Sequence, residues 1–562
     1  MYKQISLLAL LAQITSQEPI VQLPNGQILG REDITSEGVQ YYAFEKIPFA
    51  APPVGDLRFK SPQPPENWDG VLNTTTLDVM CIQIGGSGPV PGVSASEDCL
   101  YLNVFLPTIS LNSSEPLAVM AYIFGGAYRV GTAAEYKADL FMNHGVILVA
   151  MNYRVGPFGF ISTQDEVIPG NNGLKDQLLA LQWINNNIAL FGGDPNKVTI
   201  FGQSAGGGSC AYHLLNQNSL GLFQGAILES GTFLSPGMYQ RDSRNIAFGV
   251  GAAIDPSFET NQDSEALLQL LLNSTADEIK AAVEQYSNKV SQPWEGFVDQ
   301  GSMWAPVIEV KNPDAIVTRK MYGLLSAGNI LPIPTMMGFT SEESLLGKDD
   351  PEMVKSVAIS IDADLSVIVP NDMEIMDNEE RGQEGTLIRE IYTDGEPFED
   401  HLGALIRYSS DNTLTRAMIK HAELFSSIAP TFFYQFSYDG IIGGIDAHYD
   451  GADNVGHTEE LKYLFCGGSD CTDTTKYPED DLLTRERLIT IWTNFAKYQN
   501  PTPEPQSILQ NVTWPQLKTD EGDFFYLDIN SDLEVQNHPK QKYYEGWATL
   551  YGALDYTDFD TF

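Results

Sequence analysis

The stretch Phe191-Gly-Gly-Asp-Pro-Asn-Lys-Val-Thr-Ile-Phe-Gly-Gln-Ser204-Ala-Gly-Gly207 decides how this chain is read. Val198 to Phe201 is a short apolar run rich in β-branching, the composition of a buried strand, and it stops at Gly202-Gln203-Ser204-Ala205-Gly206. A helix-compatible segment follows. Strand, tight turn and helix in that order force the central serine into a strained backbone conformation, and close packing around such a turn requires small neighbours. The turn also points the serine at the start of the helix, whose free N–H groups and dipole favour an oxyanion. Gly-x-Ser-x-Gly by itself recurs by chance, so the weight lies in its flanks.

Working outward, apolar runs at Leu117 to Phe124 and Val146 to Met151 alternate with helical stretches such as Leu174 to Leu190. That alternation predicts an α/β sheet covered on both faces. Residues 20 to 60 read as short antiparallel strands broken by Pro24-Asn-Gly26 and Pro52-Pro53, an edge to the main sheet. Ser264 to Tyr286 reads as helical, with Leu267, Leu268, Leu270, Leu271 and Leu272 as a buried stripe, and residues 350 to 420 as an acidic, helix-leaning insertion over the site.

A second block, Glu97-Asp-Cys99-Leu-Tyr-Leu-Asn-Val-Phe-Leu-Pro107, is independent of the first. Together they resemble the two signatures of the type-B carboxylesterase and cholinesterase branch of the α/β-hydrolases. Phe44 to Phe59, Asn152 to Phe160 and Gly170 to Gln177 also resemble blocks of that family, and the likeness runs from about residue 20 to near the C-terminus. The resemblance implies a central, mostly parallel twisted sheet flanked by helices and a Ser-His-Glu triad. A serine needs a base to take its proton, and the base needs an acid to fix its tautomer. Ser204 is then the nucleophile. His457, in Asp453-Asn-Val-Gly456-His457-Thr-Glu-Glu-Leu-Lys-Tyr-Leu-Phe465, matches the family's glycine-rich loop before an acidic and aromatic helix, and His448 is its rival. Asn454 stands where the family often has glycine. The acid aligns best with Glu343, counted from Gly338, with Glu342 one place away; Ser344 replaces a common glycine. The oxyanion hole maps to the backbone N–H groups of Gly126, Ala127 and Ala205. Arg58, Glu97, Arg154 and Asp176 match positions that form scaffold ion pairs. Neither cofactor nor metal is implied.

At 562 residues, without a linker, low-complexity break or internal repeat, a signal peptide at 1–16 and one catalytic domain over 17–562 are expected. Met1-Tyr-Lys-Gln precedes a short apolar run, Ile5 to Ala12, and no later run is long enough to span a bilayer. A secreted protein without a stable membrane anchor follows, either a monomer or a weak homo-oligomer. Seventy-four acidic against 32 basic residues give a net charge of −42, which excludes nucleic acid and anionic membranes as partners. Sequons at Asn73, Asn112, Asn273 and Asn511 and five cysteines fit an oxidising compartment. Family resemblance pairs Cys81 with Cys99; Cys466 and Cys471 are close enough for a local bridge, and Cys210 reads as a buried free thiol.

Cholinesterases carry a tryptophan in the first disulfide loop and a glutamate before the nucleophile. Here that loop has no tryptophan and Gln203 precedes Ser204, so a quaternary ammonium site is not expected. Gly-Gln-Ser-Ala-Gly resembles the elbow of insect juvenile hormone esterases. A small, neutral, hydrophobic ester is the expected substrate, a juvenile-hormone-type methyl ester being the narrow reading and a general detoxifying or odorant- or pheromone-degrading esterase the broader one. Non-catalytic adhesion and binding members of the fold are the other class, and they usually lack a triad member.

Overall fold

The computed structural model describes residues 18–86, 90–108, 115–294, 296–465, 473–518, 522–554 and 557–562. Their framework is an eleven-stranded sheet. In chain order its strands are β1 (Arg31–Ile34), β2 (Gln40–Pro48), β3 (Tyr101–Pro107), β4 (Leu117–Ile123), β5 (Ile147–Met151) and β6 (Gly193–Gln203). There follow β7 (Gly225–Glu229), β8 (Thr335–Thr340), β9 (Thr431–Phe436), β10 (Phe525–Ile529) and β11 (Leu533–Asn537). Across the sheet the order is β11-β10-β9-β8-β7-β6-β4-β5-β3-β2-β1. The strands from β5 to β10 run parallel, with antiparallel pairs at both margins. This is the α/β-hydrolase architecture.

Parallel strands linked by helices are covered on both faces, so they need apolar side chains on both. β5, β7 and β8 are buried at every position; β5 is apolar throughout, and β7 and β8 are apolar apart from Glu229, Thr335 and Thr340 at their ends. The helix predicted over Leu174 to Leu190 is α1 (Asn172–Asn187), prolonged by a 3₁₀ turn to Phe191 and stopped by Gly192 at φ 80°. The elbow helix is α2 (Ala205–Leu215).

Two readings of the sequence change. The hairpin Ile20–Leu23 and Gly26–Leu29 does not join the main sheet but pairs with Val71–Asn73 in a separate three-stranded one; only the later part, β1 and β2, forms the edge. Ser264 to Tyr286 is two helices, α3 (Ser264–Asn273) and α4 (Ala276–Val290). The break comes at Thr275, whose side chain caps Glu278 N–H while Glu278 reaches back to the Thr275 N–H, a capping box that starts a new helix. Of the leucine stripe, Leu267 and Leu271 are buried and the other three lie at its margin. The 350–420 region is helical, but of its residues only Thr413 and Leu414 reach the cavity described below.

Candidate active site

Ser204 sits between β6 and α2 at φ 59°, ψ −125°, a conformation a non-glycine residue holds only when its surroundings impose it. Its N–H donates to Glu229 O at 2.8 Å, and Gly208 N–H donates to its carbonyl at 2.9 Å. The flanking glycines are dictated by backbone crowding. A Cβ on Gly206 would lie 2.0 Å from Ile123 O, one on Gly202 2.5 Å from the same oxygen, and one on Gly231 2.0 Å from Ser204 O.

Glu343 follows β8 and is buried. One carboxylate oxygen accepts from Ser230 Oγ at 2.5 Å and Thr340 N–H at 2.8 Å; the other lies 2.5 Å from His457 Nδ1. A carboxylate that accepts only leaves the proton on Nδ1 and a lone pair on Nε2. The His457 backbone N–H also donates to Glu343 O at 3.1 Å. Behind it Thr458 is strained at φ 77°, and Glu459, at the start of α5 (Glu459–Phe465), accepts from Gly456 N–H at 2.5 Å and Ile445 N–H at 3.1 Å, tying the loop down. Both sequence rivals are engaged elsewhere. Glu342 pairs with Arg407 at 2.6 Å and accepts from Ser410 Oγ at 2.6 Å; His448 is an exposed side chain beside Asn454.

The chain between β4 and the next turn is held open by Gly126 at φ 107°, where a Cβ would meet Val130 O at 2.4 Å. Ala127 follows at φ 53°. Among the described residues the N–H groups of Gly126, Ala127 and Ala205 donate to no protein acceptor. Ala205 is the first residue of α2, where helix geometry leaves that donor free. Ser204, His457, Glu343 and Ala127 all border one cavity of 740 Å³. Met238, Val283, Trp294, Val298, Met303, Trp304, Leu346 and Leu414 supply its apolar walls.

Of the further groups at the site, Gln203 is marked in the sequence by its place before Ser204, and the others are not. Gln203 places its amide nitrogen 3.2 Å from Nε2 and 3.4 Å from Nδ1 of His457. Glu229, at the end of β7, accepts from Trp492 Nε1 at 2.8 Å, and burial pushes its carboxyl up to about 7. Glu460 is wholly buried, and neither of its carboxylate oxygens has a protein partner. Desolvation first, then the nearby charges of Glu343 and Glu229, push Glu460 well above the usual carboxyl range. Both effects favour the uncharged form of Glu460. Only the fold brings Ser230, Glu229 and Glu460 to this place, since their sequence neighbourhoods read as strand and helix.

Away from the site, Arg58 pairs with Glu97 at 2.5 Å and Arg154 with Asp176 at 2.7 Å. Cys81 and Cys99 are bonded, and Cys210 is a buried free thiol. Asn73, Asn273 and Asn511 are exposed. Asn112, Cys466, Cys471 and the 1–16 segment lie outside the described residues. Among the described residues no cluster of His, Cys, Asp and Glu is arranged to hold a metal, and no helix is long and apolar enough to cross a membrane.

The fold and the serine elbow define an α/β-hydrolase. Residues 17–547 match the carboxylesterase family model. The chain is 31% identical to juvenile hormone esterase of Tribolium castaneum over 94% of its length and 91% of that protein's. It is 30% identical to venom carboxylesterase-6 of Apis mellifera, over 95% and 94% of the two chains. The crystal structure of juvenile hormone esterase from Manduca sexta with OTFP covalently attached superposes with a TM-score of 0.81 at 26% identity, covering 95% of this chain and all of the other. The chain belongs to the carboxylesterase family and is a carboxylic ester hydrolase.

Proposed function

We propose that the protein is a secreted serine esterase acting on neutral, hydrophobic esters through an acyl-enzyme on Ser204, in one catalytic domain over 17–562 that follows a signal peptide at 1–16. A juvenile-hormone-type methyl ester is the narrow substrate reading. The observation that carries this is the strained Ser204 at one apolar cavity with the His457–Glu343 pair and unengaged N–H groups beside it.

His457 Nε2 takes the Ser204 hydroxyl proton as Oγ bonds to the ester carbonyl carbon. Negative charge moves to the carbonyl oxygen, where the N–H groups of Gly126, Ala127 and Ala205 receive it. Collapse re-forms the carbonyl and breaks the bond to the alkoxide, which takes the proton from His457 and leaves as alcohol. Water then enters. His457 removes its proton, the hydroxyl adds to the acyl carbon, the bond to Ser204 Oγ breaks, and the proton returns to the serine as the acid departs. Glu343 keeps the proton on Nδ1 throughout and offsets the imidazolium charge. The bulk field of a chain at −42 opposes anionic substrates, and the apolar walls favour neutral ones.

The test is alcohol release from p-nitrophenyl acetate, butyrate and octanoate and from a juvenile hormone, using protein collected from the medium of expressing cells. Longer apolar acyl chains should have the higher kcat/KM, and the hormone should surpass all of them at low concentration. Preference for acetate over octanoate would contradict the hydrophobic-ester reading; failure of the hormone alone would remove the narrow one.

A further inference from the structure

The cavity wall carries a charge that the ester chemistry does not use. Lys348, five residues after Glu343, is only 9% exposed and lines the same cavity as Ser204. Its ammonium lies 4.1 Å from the centre of the Phe297 ring. A Cβ on Gly296, another cavity residue, would stand 3.6 Å from it. Among the described residues the ammonium has neither a carboxylate nor a hydrogen-bond acceptor. Desolvation lowers its pKa, as burial of an unpaired cation does. The aromatic face compensates part of that cost, but three N–H donors remain to be satisfied. The side chain is buried but its nitrogen is not closed off, so an ammonium with no protein partner on the wall of this cavity is placed to donate to a ligand's acceptor. The acids around the cavity do not supply it. Glu343 is held by His457 and Ser230, Asp299 accepts from Gly301 N–H at 3.0 Å, and Glu284 is an exposed side chain.

We propose that Lys348 is a specificity-determining residue whose ammonium donates to an uncharged oxygen acceptor, an ether, epoxide or ketone, borne by the substrate at a distance from the ester carbonyl. The reading rests on the ester hydrolysis proposed above and names its substrate class more closely: apolar along its length, with one oxygen acceptor remote from the reacting bond. An uncharged acceptor is favoured over a carboxylate because the net charge of −42 repels anions on approach. Backbone contacts at this residue do not depend on its side chain. Lys348 N–H donates to Leu345 O at 3.0 Å, and its carbonyl accepts from Tyr449 OH at 2.6 Å.

The experiment measures kcat/KM for two matched sets of esters on the intact protein, Lys348→Met and Lys348→Arg. One set is p-nitrophenyl octanoate, its 7-oxo and 7,8-epoxy analogues, and the mono-p-nitrophenyl ester of octanedioic acid. The other places the same groups on the octyl alcohol of an acetate ester. In at least one set the keto or epoxy ester should exceed the plain ester by about tenfold, chiefly through KM, as expected for one hydrogen bond to a charged donor. Lys348→Met should abolish that preference while leaving the plain ester within about threefold, and Lys348→Arg should retain part of it. Equal preference in the parent and Lys348→Met, in both sets, would overturn the proposal. A carboxylate ester faster than the keto and epoxy esters would overturn the uncharged class. Turnover of the plain esters reports separately on the underlying reading, and no turnover of any ester would remove both.

Discussion

The rear and the front of the cavity are built by opposite means. At the rear, Gly202, Ser204 and Gly206 lie on the junction of two central elements, so close to β4 that backbone atoms alone decide which residues fit. Glu343 and His457 are held there by backbone and side-chain bonds on both sides. At the front, α4 contributes Lys280, Val283, Glu284 and Ser287 from one helix, while residues 296–304, Ser344, Leu346 and Lys348, and the π-helical stretch at Thr413 and Leu414 add side chains from separate parts of the chain. The rear is determined by chemistry that any ester needs, and its tolerance is a fraction of an ångström. The front is determined by packing against a particular ligand, and packing tolerates change better than a reacting geometry does.

If that contrast holds, substitutions at the rear should abolish turnover or folding, and those at the front should rearrange preference. The largest effect is expected for Glu343→Gln, which keeps the shape but lets the amide stabilise the wrong tautomer of His457. A loss of kcat of about 10⁴-fold, with KM little changed, is predicted in steady-state assays. Next is Gly206→Ala. Its methyl would stand 2.0 Å from Ile123 O, and neither backbone can retreat, so a loss of more than about 3 kcal/mol is expected, read as poor secretion or a much lower urea midpoint. Survival of this variant at parental stability would break the comparison.

Glu229→Gln sharpens it, because the rear also stores an electrostatic cost. The folded carboxyl lies at about 7 against an ordinary 4.5, so the native state binds the proton more tightly than the unfolded chain. Stability is therefore highest below the lower value and declines as the pH rises through this window. The amide keeps an acceptor for Trp492 and cannot ionise. The variant should gain up to about 3 kcal/mol over the parent above pH 7 and nothing near pH 4, measured by urea unfolding at each pH. The smallest effect belongs to the front wall. Val283→Ala on α4 should shift the octanoate-to-butyrate kcat/KM ratio by roughly three- to tenfold in favour of the longer chain, at a stability cost of about 1–2 kcal/mol.

The same division explains what could be read from the chain alone. The elbow and the turn at Gly126 are encoded locally, because glycine at Gly126, Gly202 and Gly206 is a steric requirement that shows as a residue type, whereas Glu343 and His457, the proposed acid and base, were reached through family resemblance. The parallel sheet was legible from apolar runs such as β5, which are buried at every position. The split of α3 from α4 was missed because a continuous leucine pattern hid a capping box at Thr275. The separate three-stranded sheet was missed because Val71–Asn73, its third strand, is too short to show a pattern. Glu229 and Glu460 reach the site only through tertiary packing, and Lys348 looks like any surface lysine until its burial against Phe297 is known.

The central claim is covalent chemistry at Ser204. The protein should be mixed with p-nitrophenyl octanoate, quenched within milliseconds and digested, and the acylated peptide located by mass spectrometry. A burst of p-nitrophenol equal to the enzyme concentration, with the octanoyl mass on the peptide containing Ser204 and neither signal in Ser204→Ala, is the predicted result. Undiminished turnover by folded Ser204→Ala, or an acyl group found on another residue, would contradict it.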